Sequence, residues 1–334
     1  MSISPRFVMR AVASTVALTV LAGGVVVLAA SLDTPATVSD RADRVEQPTG
    51  DTAVVFDVGD VDRFVVEATG RAATRIGGAA TTGRTGSLGM QRITRRGATV
   101  HAPPSGYLIP IVYSSLPRGA IGRVMGSDVS AVLSRDTVVM NEVTAELTGA
   151  REGDVIVMQA ANGAAIPLTI GGVRPYDQIG WGEIVFDFDV AARLGATADT
   201  RAVIYGIDDR AAFDAAVQAE GIVGRQDTKI IRSWSPPNPD STLSTARTKA
   251  ALGEPWYRFD ADGSVVMHPT WKARNLTPGR ELLNDTIRIR AQCHVRVVDD
   301  LRAALAEVAA AGLAGAIDVA NANAFGGCYV PRFS

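Results

Sequence analysis

The sequence predicts an α+β fold in three parts: an N-terminal transmembrane helix, a mixed strand and helix extracytoplasmic domain, and a smaller α+β domain at the C-terminus. Three observations lead there. Residues 11–32 form an uncharged run rich in Val, Leu and Ala, long enough to cross a hydrocarbon core of about 30 Å as a helix. Between residues 51 and 224, short apolar runs bounded by Gly and Asp alternate with stretches of helical spacing. Residues 233–244 then gather Pro236, Pro237 and Pro239 among Ser, Asn and Asp, which disfavours helix and interior strand and marks a connector.

The 334 residues fit a prior of two domains. With 33 basic against 35 acidic residues the net charge is -2, so no broad electrostatic field favours nucleic acid, and none is expected as a partner. Arg6 and Arg10 in front of the apolar run and Asp33 behind it place the N-terminus in the cytoplasm and the bulk of the chain outside. A retained anchor is the favoured reading over residues 1–32, with a cleaved signal peptide as the alternative, because 27–29 and 28–30 offer small-residue cleavage sites. Residues 33–50 are polar, without apolar periodicity, and read as a tether.

In the domain expected over residues 51–224, residues 52–58 and 63–68 read as strands. The Gly-, Thr- and Arg-crowded stretch 70–89 reads as the least ordered part. Residues 107–113 and 137–140 are compact strands, and 142–147 is a short helix stopped by Gly149. Asn162-Gly163 between 155–158 and 166–170 signals a hairpin. Residues 184–188 and 203–207 add strands, and 210–220 a helix with Asp208-Asp209 ahead of it as caps. The connector is placed at residues 225–248. In the last part, 249–334, Val298, Leu301, Leu305 and Val308 repeat at three and four and define one helix face.

Few side chains suggest chemistry. Asp187 and Asp189 would share one face of a strand, an arrangement as natural for a solvated edge as for a cation site. The glycines at 77, 78, 83 and 86 lack the Lys-Ser/Thr ending of a phosphate loop. His101, His268 and His294 are the only histidines, none spaced to share a face, so His268 reads as a loop residue and His294 as a packing or capping residue. Outside the cytoplasm two cysteines can pair, and Cys293 and Cys328 flank the C-terminal helix, so a bridge between them is expected to staple that helix to the terminal loop.

Three pieces of the C-terminal hundred residues carry a resemblance. They are Ser233-Trp-Ser-Pro-Pro-Asn-Pro-Asp240 leading into Lys249-Ala-Ala-Leu-Gly-Glu254, then Trp271-Lys-Ala-Arg-Asn-Leu276 followed by Ile287-Arg-Ile-Arg-Ala-Gln-Cys-His294, and last Gly326-Gly-Cys-Tyr-Val-Pro-Arg332. In that order they resemble the front half of VanY-like D-alanyl-D-alanine carboxypeptidases, zinc metallopeptidases of peptidoglycan stem peptides. The resemblance implies a peptidase-like α+β fold, incomplete here, with Arg332 as the guanidinium that orients substrate. Such a family supplies its zinc ligands and general base beyond this point, in Ser-x-His-x-x-Gly-x-Ala-x-Asp and Glu-x-x-His. Neither motif occurs in this sequence, so no metal or cofactor is expected in this chain, and zinc only in a complete member.

The middle stretch, through Val138-Val-Met-Asn-Glu142, Gly149-Ala-Arg-Glu-Gly-Asp154 and residues 203–221, weakly resembles the extracytoplasmic domain of MacB/FtsX-type permeases. The expectations are therefore a membrane-anchored cell-envelope protein of the carboxypeptidase lineage, without activity as written, or a non-catalytic envelope interaction or scaffold module. The partners implied are peptidoglycan stem peptides or an envelope protein.

Overall fold

The structure is a computed structural model that describes residues 51–57, 61–179, 182–225, 227–234, 245–317 and 319. The first layer is a four-stranded antiparallel sheet. Strand β1 (Thr52–Asp57) is followed by helix α1 (Arg63–Arg75) and strand β2 (Ala79–Arg95); far along the chain, β9 (Arg201–Tyr205), helix α7 (Arg210–Ala219) and β10 (Thr228–Arg232) complete it. The spatial order is β10-β1-β9-β2, all pairs antiparallel. Two βαβ units interleaved in this way make the split βαβ of ferredoxin-like sheets. Val65, Ala68, Ala72, Phe213 and Val217 close one side of it over Ala53, Val55, Ala202 and Ile204.

Everything between β2 and β9 is an insertion into that unit, and most of it is a closed barrel. Strand β2 runs on past the sheet and pairs with β4 (Ile109–Leu116) on one side and β6 (Val155–Gln159) on the other. From β4 the ring continues through β8 (Ile184–Asp187), β5 (Thr137–Asn141) and β7 (Ala165–Arg174) back to β6, six strands in all. The β4–β8 and β5–β7 pairs are parallel and the other four antiparallel. A short strand β3 (Ala98–His101) pairs with β2 outside the ring. Alternate residues point inward, and each strand contributes: Met90 and Ile93, Ile109 and Ile111, Val138 and Met140, Ile156 and Met158, Leu168 and Ile170, Ile184 and Phe186, all fully or almost fully buried. Between the barrel and the open sheet lie α2 (Arg118–Val124) and α3 (Ser127–Val132). Their Ile121, Val124 and Val129 pack with Val139 and Val185 of the barrel and with Val54 and Val203 of the sheet.

The barrel contains one device twice. Strand β5 ends at Asn141, whose side chain accepts from Thr144 N (2.7 Å) and starts the seven-residue helix α4 (Glu142–Thr148), stopped by Gly149 at φ 68°. Strand β8 ends at Asp187, whose carboxylate accepts from Asp189 N and Val190 N and starts the seven-residue helix α6 (Phe188–Leu194), stopped by Gly195 at φ 76°. Each glycine adopts the left-handed conformation a side chain would resist, and the next residue donates back into the helix, Ala150 N to Ala145 O and Ala196 N to Ala191 O. A four-residue helix, α5 (Tyr176–Ile179), lies between the two.

The C-terminal part adds helix α8 (Thr245–Leu252), the hairpin β11–β12 (Tyr257–Phe259 and Val265–Met267), helix α9 (Pro269–Asn275), the hairpin β13–β14 (Glu281–Asn284 and Ile289–Ala291) and helix α10 (Val298–Ala310). Leu283, Ile289, Cys293, Val298 and Leu305 form its own small core, with Leu301 and Val308 half-buried against it.

Several expectations are corrected. The fold class is a closed six-stranded β-barrel with mixed α/β content, in place of the expected α+β fold with an N-terminal transmembrane helix and an incomplete peptidase-like C-terminal domain. No helix among the described residues is long and apolar enough to cross a membrane, and the run 11–32 expected to do so lies outside them. The pairing that closes the barrel joins strands far apart in sequence, which local periodicity does not report. Residues 63–68 are the first turns of α1, not a strand: Asp62 accepts from Phe64 N at 2.7 Å, and the buried Val65, Ala68, Thr69 and Ala72 recur at helical spacing. Residues 79–89, expected to be poorly ordered, belong to β2, the longest strand among the described residues. Their glycines permit close approach: a Cβ at Gly83 would meet Leu116 Cδ2 at 2.8 Å, and one at Gly89 would meet Leu108 Cδ1 at 2.7 Å. Asp187 and Asp189 do not share a strand face, because the strand ends at Asp187 and its carboxylate is spent as a cap.

Candidate functional site

The C-terminal part is fastened to the barrel along a seam, and the candidate site lies on it. Helix α8 carries Lys249 into the barrel wall. Its ammonium donates to both carboxylate oxygens of Glu183, at 2.9 and 2.7 Å, and to the carbonyl of Pro110. The side chains are 3% and 2% exposed. Glu183 also accepts from Val112 N (2.9 Å) and Thr144 Oγ1 (3.3 Å). A buried pair of this kind needs such additional hydrogen bonds to offset desolvation, and here both ends have them.

The three histidines serve the same seam, each separately. His101 Nε2, at the end of β3, lies 2.6 Å from the Glu254 carboxylate beyond α8. His294 Nε2 donates to Leu252 O at 2.8 Å while its Nδ1 accepts from Arg296 N. His268 caps α9 by accepting from Thr270 N, and its ring sits edge-on to Tyr107 and Trp256, with centroids 4.5 and 5.5 Å away. His294 holds the turn ahead of α10, whose own N-cap Val297 has no side-chain cap bond, and His268, expected in a loop, is a helix cap. Among the described residues no group of three or more His, Cys, Asp or Glu gathers to hold a metal ion.

An isolated antiparallel bridge joins β11 to the residue just ahead of β4. Leu108 and Tyr257 exchange backbone hydrogen bonds of 2.7 and 2.9 Å. The Tyr257 ring is buried, its hydroxyl over Gly89, and burial pushes its pKa well above the usual tyrosine range. Next to this junction is a cleft of about 460 Å³, within the size range of small-ligand sites. Its walls come from four stretches of chain: Gln91 and Arg92 on β2, residues 103–108 between β3 and β4, Gln159 on β6, and Arg258 and Phe259 on β11.

A bulge builds the barrel wall of this cleft. The pairing of β2 with β6 shifts between Met90 and Arg92, so Met90 and Ile93 point into the barrel while Gln91 and Arg92, side by side in sequence, both stay outside. Bulges re-aim side chains in this way. The lining includes two arginines and no carboxylate. Arg258 lies 5.9 Å from the Tyr107 ring centroid. Neither Arg92 nor Arg258 has a carboxylate partner among the described residues, whereas Arg95, three positions along β2 from Arg92, holds the buried Asp154 by two bonds of 2.9 and 2.8 Å.

No family model matches the chain, and no curated protein matches it. Among solved structures it is similar to the extracellular domain of the noncanonic ABC-type transporter YknZ from Gram-positive bacteria, with a TM-score of 0.32 and 9% identity over 54% of this chain and all of that one. This is a weak likeness to a transporter extracellular domain; it carries no functional assignment and lends nothing to the carboxypeptidase resemblance.

Of the residues singled out from sequence, Cys293 is fully buried in the small C-terminal core, and its expected partner Cys328 lies outside the described residues, as does Arg332. Lys249 and Glu254, read only as parts of a motif, are two of the side chains that bind α8 and its C-terminal flank to the barrel and to β3. Gln91, Arg92, Gln159, Arg258 and Phe259 were not anticipated. One signal was present: Gln91-Arg92 interrupts the alternation between Met90 and Ile93, which is what a bulge does to a strand pattern.

Proposed function

We propose that this protein is a non-catalytic interaction module of the cell envelope whose binding surface is the cleft between barrel and β11. The observation that supports this most is the composition of that cleft: hydrogen-bonding, cationic and aromatic side chains from four chain segments converge on a concavity of ligand size. The buried Lys249–Glu183 pair holds α8, and with it the chain leading into β11, against the barrel, so the walls are preorganised. The extracytoplasmic location rests on residues 11–32, and an envelope protein as partner follows from that location. The carboxypeptidase lineage of residues 249–334, with Arg332 orienting a stem peptide, rests on the sequence motifs alone.

A photocrosslinking side chain at Ser105, on the cleft wall, tests the module in intact cells against the same group at Glu152, on an exposed turn. The expected result is a discrete adduct from Ser105 that is absent from Glu152. Equal adducts from both positions, or none from Ser105, would contradict a dedicated binding cleft.

A further inference from the structure

Resting on the reading of the protein as a binding module, we infer that the cleft takes acidic peptide segments, with Arg92 and Arg258 pairing with carboxylates and Gln91 and Gln159 hydrogen-bonding the peptide amides. The chain as a whole is slightly acidic, at -2, yet this cleft carries two positive charges and no negative one. Several arginines of the barrel and its helices are committed: Arg84 to Asp199, Arg95 to Asp154, Arg174 to Asp128, Arg193 to Asp136. Arg92 and Arg258 are exposed and without such partners. Each guanidinium is a planar fork that matches a carboxylate with two parallel hydrogen bonds.

The neutral lining selects the body of the ligand. Gln91 and Gln159 each present a donor and an acceptor, the pair of functions a peptide amide offers in return. They come from neighbouring strands at the point where the bulge opens the β2–β6 ladder. Tyr107 and Phe259 add aromatic faces, Phe259 42% exposed at the rim, which suit the apolar parts of a chain running past them. The two guanidinium forks would also match phosphate, but a bare phosphate leaves the glutamines and aromatic faces unused, and no lysine or helix terminus lines the cleft to favour it further.

The test is calorimetric titration of the full-length chain with acetyl-Gly-Glu-Glu-Gly-amide, its Gln-Gln counterpart, and inorganic phosphate. The acidic peptide is expected to bind, more weakly as salt rises, and Arg92→Gln or Arg258→Gln to weaken it about ten- to hundredfold. The thermal midpoint should stay unchanged, since both side chains are exposed. The Arg123→Gln change, outside the cleft, controls for overall charge. Equal binding of the Gln-Gln peptide, insensitivity to both arginine changes, or full competition by phosphate would overturn the acidic-peptide assignment while a Ser105 adduct left the binding module standing. Absence of binding by every probe would also overturn it, and the crosslinking result would decide the module separately.

Discussion

Replacing Lys249 by methionine keeps most of the side-chain volume and removes the ammonium. Three hydrogen bonds disappear, two to Glu183 and one to Pro110 O. Glu183 keeps the Val112 amide and the Thr144 hydroxyl, but its carboxylate, 2% exposed, then has no positive partner. Removing one member of a buried ion pair costs about 3–5 kcal/mol. At about 2–4 °C per kcal/mol for a unit of roughly 150–250 residues, the thermal midpoint should fall by about 6–20 °C. The double variant Lys249→Met with Glu183→Gln has no buried charge left, while Gln can still accept from Val112 N. It should recover at least half of the loss, because neutral replacements of both partners are often close to neutral in stability. Scanning calorimetry of the purified full-length chain gives the midpoints, and amide exchange across residues 245–252 shows whether α8 is the element released. A Lys249→Met midpoint within about 2 °C of wild type, or a double variant as unstable as the single one, would refute the argument that this pair fastens the C-terminal part to the barrel.

Four further outcomes are expected. Gly89→Val drives a side chain into Leu108 and the Tyr257 hydroxyl, and overpacking of this kind should cost about 1–3 kcal/mol, read by denaturant unfolding. Asp187→Ala removes a cap with two amide bonds and should cost about 0.5–2 kcal/mol, with Asn141→Ala larger because Asn141 Nδ2 also donates to Gly182 O at 3.0 Å. The hydrogen bond from Arg95 holds Asp154 below the usual carboxylate range, so its stabilisation is fully present above the unfolded value of about 3.9 and is lost as pH falls through the lower folded value. The stability gap between wild type and Arg95→Gln should therefore be constant near neutrality and close as pH drops below about 4. Cys293 and Cys328 should form a bridge in protein isolated without reductant, seen as a two-hydrogen mass deficit of the intact chain; two alkylatable thiols would refute it.

Much of the local structure was legible because local chemistry decides it. Gly149 stops α4, Asn162-Gly163 turns β6 into β7, and Asp208-Asp209 stands ahead of α7, where Asp209 accepts from Ala211 N and Ala212 N. The architecture was not legible, for reasons located in particular residues. Strand β2 pairs with β9, β4, β6 and β3 in succession, and three of its glycines serve those contacts, yet a run rich in Gly, Thr and Arg gives no apolar alternation to read. Val65 and Val66 favour a strand by type, and the Asp62 cap and the packing of Val65 against the sheet override that preference. The repeated strand, Asx cap, seven-residue helix and glycine at 137–149 and 184–195 could have been found by comparing the chain with itself. The cleft could not, since its arginines stand 166 positions apart and meet only because Tyr257 pairs with Leu108.

The most direct test of the account is the photocrosslinking comparison between Ser105 and Glu152 in living cells. A discrete adduct from Ser105, lost when Arg92 and Arg258 are both changed to Gln, is the predicted result and would place a partner in the cleft. Identical crosslinking patterns from the two positions would contradict the claim that this seam is the protein's binding surface.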